Sequence, residues 1–186
     1  KSDMGSVEKQ MCDVMDQLED VVTKSDLAEM MNSFVDSEDN GWLMFNTKYC
    51  TADLAYSEIY CQAKNTIFVI DNYIGLRTLV LLKNAPCGVA ITLFSDNVGG
   101  RLHSIEYNDF CGEYPEISIT LKRTGGIYHD RFIVLDYGTQ DERIFLCGAS
   151  SKDAGARVTS IVEDFGTAKY KNLIDSLLKN QKLILT

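Results

Sequence analysis

The chain has 186 residues, enough to bury one substantial core, and its 45% hydrophobic and 24% charged content is that of an ordinary soluble globular domain. With 2 prolines it holds no long proline-rich linker, and no apolar run approaches the length of a membrane span. A net charge of −9 weighs against strong nonspecific binding to duplex nucleic acid, whose phosphates are gripped mainly by Lys and Arg.

The chain opens on Lys1 rather than Met and without an apolar signal core, which reads as a piece of a longer protein. Six cysteines, Cys12, Cys50, Cys61, Cys87, Cys111 and Cys147, contain no C-x-x-C pair. Free thiols of a cytoplasmic protein are therefore expected, with no disulfide framework, zinc site or other metal.

From Met4 the apolar residues Met4, Val7, Met11, Val14, Leu18 and Val21 alternate spacings of three and four. That pattern predicts the a/d seam of a short coiled coil, ahead of the alternative of a lone helix packing on its own domain. Asp26 and Glu29 are spaced like a helix cap before a second stripe of Leu27, Met30, Met31 and Phe34. The acidic run at 36–41 then marks a boundary between a helical linker over 1–40 and a domain over 41–186.

Residues 42–45 read as a short strand or docking segment, and 51–63 as a helix burying Ala52, Ala55, Tyr56, Ile59 and Ala63. The continuous apolar run 66–70 predicts a strand covered on both faces. Asp71 and Asn72 follow its end, where open α/β sheets place ligand crevices, although capping of a helix over 76–83 is the plainer role. Further along come a strand at 89–94, a polar loop, a helix at 102–110 with Leu102, Ile105 and Phe110 inward and His103 outside, and a strand at 117–122. After the central stretch, 157–162 reads as a strand, 167–179 as an amphipathic helix and 183–185 as an edge strand. Strands alternating with helices predict an α/β architecture with a mixed sheet.

The stretch Gly126-Ile127-Tyr128-His129-Asp130-Arg131-Phe132-Ile133-Val134-Leu135-Asp136 reads as a strand with His129 and Arg131 on one face and Asp130 on the other. A titratable nitrogen beside a fixed guanidinium suits chemistry at phosphorus. The second segment, Phe145-Leu146-Cys147-Gly148-Ala149-Ser150-Ser151-Lys152-Asp153, follows at a distance suited to a hairpin. An isolated H-x-R is more often a hydrogen-bonded strand histidine beside a surface salt bridge; the Gly-Gly turn before it and the Gly-Ala-Ser-Ser segment after it favour a phosphate site.

His129-x-Arg131-x-x-x-x-Asp136 and Gly148-Ala149-Ser150-Ser151 resemble the H-x-K-x-x-x-x-D and G-S-x-N signatures of the phospholipase D superfamily, with Arg where Lys is usual, Ala149 for Ser and Ser151 for Asn. Together with Phe68-Val69-Ile70-Asp71-Asn72-Tyr73-Ile74 and Lys152-Asp153, they are also similar to the C-terminal domain of phage-related, RhuM-like virulence proteins, where such a half follows a DNA-binding domain. The likeness runs over roughly 42–164.

The resemblance implies a phospholipase D-like mixed sheet flanked by helices. It further implies a metal-independent phosphodiesterase, nuclease-like, without a cofactor. His129, Arg131 and Asp136 would be catalytic, and Ser150, Ser151 and Lys152 would bind substrate. One motif copy per chain implies a homodimer that pairs two His129 through a phosphohistidine intermediate. On a regular strand Asp136 falls on the face opposite His129 and anchors the next turn; Glu163 is a candidate to orient the imidazole. The alternative is a degenerate half that dimerises, or binds a phosphate ligand, beside an upstream DNA-binding domain. Nucleic acid or another phosphodiester is the expected partner, and a membrane is not, since no basic amphipathic helix or anchor is evident.

Overall fold

Thr66-Ile67-Phe68-Val69-Ile70 carries no polar side chain after its first residue, so it has to be covered on both faces, and it is. The structure, a computed structural model, describes residues 41–186, and the helices expected over 1–40 lie outside them. The chain divides before Asn40, and the described residues fall in the unit Asn40–Thr186.

The elements are β1 (Gly41–Met44), α1 (Tyr49–Tyr60), β2 (Thr66–Ile70), α2 (Leu76–Leu82), β3 (Ala90–Phe94), α3 (Ser104–Glu113), β4 (Ser118–Lys122), β5 (Arg131–Leu135), β6 (Arg143–Cys147), β7 (Thr159–Glu163), a 3-10 turn (Thr167–Tyr170) and α4 (Lys171–Leu178). Seven strands form one sheet in the order β1-β7-β6-β5-β2-β3-β4. β2, β3 and β4 are parallel and joined by α2 and α3, the crossovers that parallel neighbours require. β5 runs antiparallel to β2, and β6, β7 and β1 continue antiparallel from it. This is the mixed α/β sheet expected.

The period of two along β2 builds two cores. Ile67 and Val69 enter one with Tyr56, Ile59 and Leu79, while Phe68 and Ile70 enter the other, closed by Ile174 and Leu177 of α4. Ile105, expected inward, is 71% exposed. Phe110 is buried and the Tyr107 hydroxyl donates to the Ile119 carbonyl at 2.7 Å, a rotation of α3 that turns Ile105 to the opposite side. The helix expected over 167–179 begins as a 3-10 turn, and the expected last strand reduces to one bridge, Lys122 to Lys182. No helix among the described residues is long and apolar enough to cross a membrane.

The topology gathers four connecting loops at one end of the sheet, those after β2, β3, β4 and β6. The parallel strands β2, β3 and β4 end there; β5, being antiparallel to β2, begins there; β6 ends there again. The last of these loops, 148–156, is held against α1. Arg77 Nη1 donates to the carbonyls of Lys152 and Ala154 at 3.0 and 2.9 Å, and Arg77 Nη2 pairs with Asp53 at 2.5 Å. Gly155 has φ +84, and a Cβ there would stand 2.8 Å from Tyr49 Cα and 2.9 Å from the Lys48 carbonyl oxygen. Both obstacles are backbone. Gly155→Ala is therefore expected to cost about 2 kcal/mol in denaturant unfolding, from a left-handed conformation combined with a contact that cannot relax.

Candidate functional site

His129 lies in the loop before β5, and the strand begins only at Arg131. The shared strand face expected for the two is therefore replaced by a loop residue beside a strand-end residue. Gly125 and Gly126, with φ +80 and +74, turn the chain out of the β4 direction. Side chains from the neighbouring strand ends then hold the loop. Asp96 accepts from the Gly126 amide at 2.6 Å and from the Thr124 hydroxyl at 2.6 Å. Asn72 donates to the Tyr128 carbonyl at 2.8 Å and accepts from the Asp96 amide at 3.1 Å. Partial burial pushes the Asp96 carboxyl up, but the Thr124 hydroxyl, the Gly126 and Gly125 amides and Arg123 outweigh it and hold it below the usual range.

The His129 imidazole itself is fully exposed. Among the described residues its one ionic neighbour is Asp130, also exposed, with Nδ1 and Oδ1 3.8 Å apart. It is thus free to meet a ligand or a second protein surface.

Arg131, two residues further on at the start of β5, is 24% exposed, with Nε 3.5 Å from Oδ1 of the buried Asp71. That separation is an ion pair without a hydrogen bond, and Nε is a buried donor with no partner among the described residues. The guanidinium carbon lies 5.5 Å from the centre of the Tyr73 ring. Burial pushes the Asp71 carboxyl above its ordinary value, opposed by the Ser150 hydroxyl, the Tyr73 amide, Arg131 and Lys152. A small pocket in front of the pair is lined by Tyr56, Asp71, Arg131, Cys147, Ala149 and Ser151 among others. Cys147 there is no nucleophile, because burial, then Asp71, pushes its thiol up to about 12.

The remaining expected site residues are turned to internal work. Ser150 is buried and donates to the Tyr73 carbonyl at 2.6 Å; Ser151 is buried and donates to the Thr78 hydroxyl at 3.0 Å. Lys152 is mostly covered and pairs with Asp153. Asp136 is set well apart from Arg131: five strand steps at about 3.3 Å each carry it on the order of 17 Å away, to the opposite end of the sheet. There it is 1% exposed and accepts from the backbone amides of Lys64, Asn65 and Thr66. Direct contact with a phosphorus centre at His129 is excluded for Asp136 by that placement. Glu163 sits at the same far end, paired with Arg143 through two contacts of 2.6 Å, so it does not orient His129.

Asp71, Asn72, Asp96 and Thr124 are the residues that sequence reasoning passed over or read as caps. Their signal was position: a carboxylate, amide or hydroxyl just past an apolar strand in an α/β sheet. Among the described residues no three His, Cys, Asp or Glu side chains gather as a metal-ligating group.

No family model matches the chain, and no curated protein matches it. Similar solved structures exist. NucT from Helicobacter pylori, a member of the phospholipase D-like superfamily, is 14% identical with a TM-score of 0.53 over 77% of this chain and 98% of its own. TrmBL2, an archaeal chromatin protein described with a novel mode of DNA binding, is 14% identical with a TM-score of 0.51 over 98% of this chain and 71% of its own. With a mixed seven-stranded sheet flanked by helices and NucT aligned over nearly its full length, residues 41–186 carry a phospholipase D-like fold.

Proposed function

We propose that the chain is a phosphodiesterase that completes its site with a second copy of itself. The observation that carries this reading is the fully exposed His129 imidazole on a tethered loop that leads into Arg131, at the end of the sheet where the loops after β2, β3, β4 and β6 meet. In the reaction, the imidazole of one His129 attacks phosphorus, forming an N–P bond as the P–O bond to the leaving group breaks. The leaving oxygen takes a proton from the partner's His129. Water then attacks phosphorus, passes a proton to that imidazole, and the N–P bond breaks. Arg131 stabilises the charge on the equatorial oxygens. Asp71 aims the guanidinium, while Asp136, Ser150 and Ser151 hold the scaffold. Nucleic acid is the proposed substrate and the cytoplasm the proposed compartment.

The test is hydrolysis of bis(para-nitrophenyl) phosphate by the full chain, with light scattering for its mass. Arg131→Ala is expected to lower kcat/KM by about 100-fold, and Arg131→Lys to recover part of the loss. An unchanged rate in Arg131→Ala would remove the guanidinium from the chemistry.

A second reading rests on a specific contact: the Asp71 carboxylate already neutralises Arg131. A phosphate-sensing or dimerising half, attached to an upstream DNA-binding domain as the RhuM-like resemblance implies, needs no turnover. The DNA binding described for TrmBL2 supports this alternative. A dimer that binds phosphate esters yet hydrolyses none would favour it.

A further inference from the structure

Tyr73 stands beside the Arg131 guanidinium and has no part in the reaction above. It is 41% exposed, just past the end of β2. Its backbone is nevertheless held on both sides, the amide donating to Asp71 Oδ1 at 2.9 Å and the carbonyl accepting from Ser150 Oγ at 2.6 Å. The guanidinium lies against the ring at 5.5 Å from its centre. The neighbouring Asn72 is bonded to the Tyr128 carbonyl, one residue before His129. The result is a placed, partly uncovered aromatic face on the rim of the site.

Charge narrows what such a face would hold. Four cations around this end of the sheet are matched by a carboxylate, Arg131 by Asp71, Lys152 by Asp153, Arg123 by Asp96 and Arg77 by Asp53, and the exposed Arg101 and Arg157 are the others on these loops. A chain of net charge −9 with four of its local cations already paired has little to offer a long run of duplex phosphates. Affinity has to come from something besides phosphate contacts. Stacking supplies it, and a base offers its π-face only when unpaired. Resting on the phosphodiesterase reading, we infer that the substrate is single-stranded nucleic acid, with one base stacked on Tyr73 while an adjoining phosphodiester reaches Arg131 and His129. Tyr73 is then the residue that selects single strand over duplex.

The experiment measures binding by fluorescence anisotropy, in a His129→Asn background of the full chain so that the probes survive. The probes are a short oligothymidylate, the same strand in a duplex, and an abasic strand with an equal number of phosphates. The single strand is expected to bind more tightly than either of the others. Tyr73→Ala should weaken it by about tenfold and abolish the preference, and Tyr73→Trp should restore both. Equal binding of the abasic and base-bearing strands, a preference for duplex, or no effect of Tyr73→Ala overturns the inference. Hydrolysis of bis(para-nitrophenyl) phosphate by the His129 chain separates the two levels. Turnover there without strand preference removes the stacking role alone, whereas failure to bind or hydrolyse any phosphodiester removes both.

Discussion

Replacing His129 with Asn lowers the rate of diester hydrolysis by at least about a thousandfold while leaving the fold intact. The magnitude follows from losing a nucleophile, or the matched acid, in a reaction whose other contributions come from the Arg131 guanidinium groups and from positioning. The fold is spared because the imidazole is fully exposed and its one ionic neighbour among the described residues, the exposed Asp130, is 3.8 Å away. Steady-state rates on bis(para-nitrophenyl) phosphate and thermal unfolding of the same preparation give both halves of the result. A variant that unfolds early would mean that the loop depends on His129 in a way its contacts do not provide. A variant with a normal unfolding curve and a normal rate would assign the chemistry elsewhere.

Asp136→Ala is the largest stability change expected, on the order of 4 kcal/mol, read from chemical denaturation. The carboxylate is 1% exposed and accepts from Lys64 at 2.9 and 3.1 Å, from Asn65 at 2.6 Å and from Thr66 at 3.0 Å, so its removal leaves three amides facing one another around an empty position. Asp136→Asn keeps the shape and tolerates the backbone φ of +52, yet it loses the charge and turns an N–H group toward donors, so it recovers only part of the loss. Burial raises this carboxyl, but the amides of Thr66, Lys64 and Asn65 and the nearby Lys64 charge win and leave it below its ordinary 3.8. The sign follows from the depressed folded value. Stability from Asp136 is fully present above the unfolded value and disappears as pH falls through the folded one, so the Asp136→Ala protein loses less on acidification than the parent between those two pH values.

The sheet was legible wherever burial on both faces leaves its mark. The run 66–70 reads as a covered strand because no polar residue interrupts it, and Ala52, Ala55, Tyr56 and Ile59 mark the buried side of α1 at helical spacing. The His129 loop was not legible. Its sequence continues straight into β5, and what lifts 127–130 out of the strand is Asp96 and Asn72, which lie 30 and 56 residues away in the chain from the Gly126 amide and the Tyr128 carbonyl they hold. Local periodicity carries no record of such bonds.

Asp71 illustrates the same limit from the other side. A carboxylate before a helix reads as a cap, and only the antiparallel return of β5 shows that its partner is Arg131. Ser150 and Ser151 match the positions where the resemblance places substrate contacts, but their hydroxyls point to the Tyr73 carbonyl and Thr78. A motif records residue types and spacing; it does not record which way a side chain turns.

The paired-histidine mechanism is tested most directly by quenching the full-length chain during turnover of a slow diester and mapping the peptide that contains His129 by mass spectrometry. The mechanism predicts an acid-labile phosphoryl adduct on His129 that retains one ester group of the substrate and is absent from the His129→Asn variant. Turnover that leaves no adduct and proceeds at an undiminished rate in His129→Asn would contradict it.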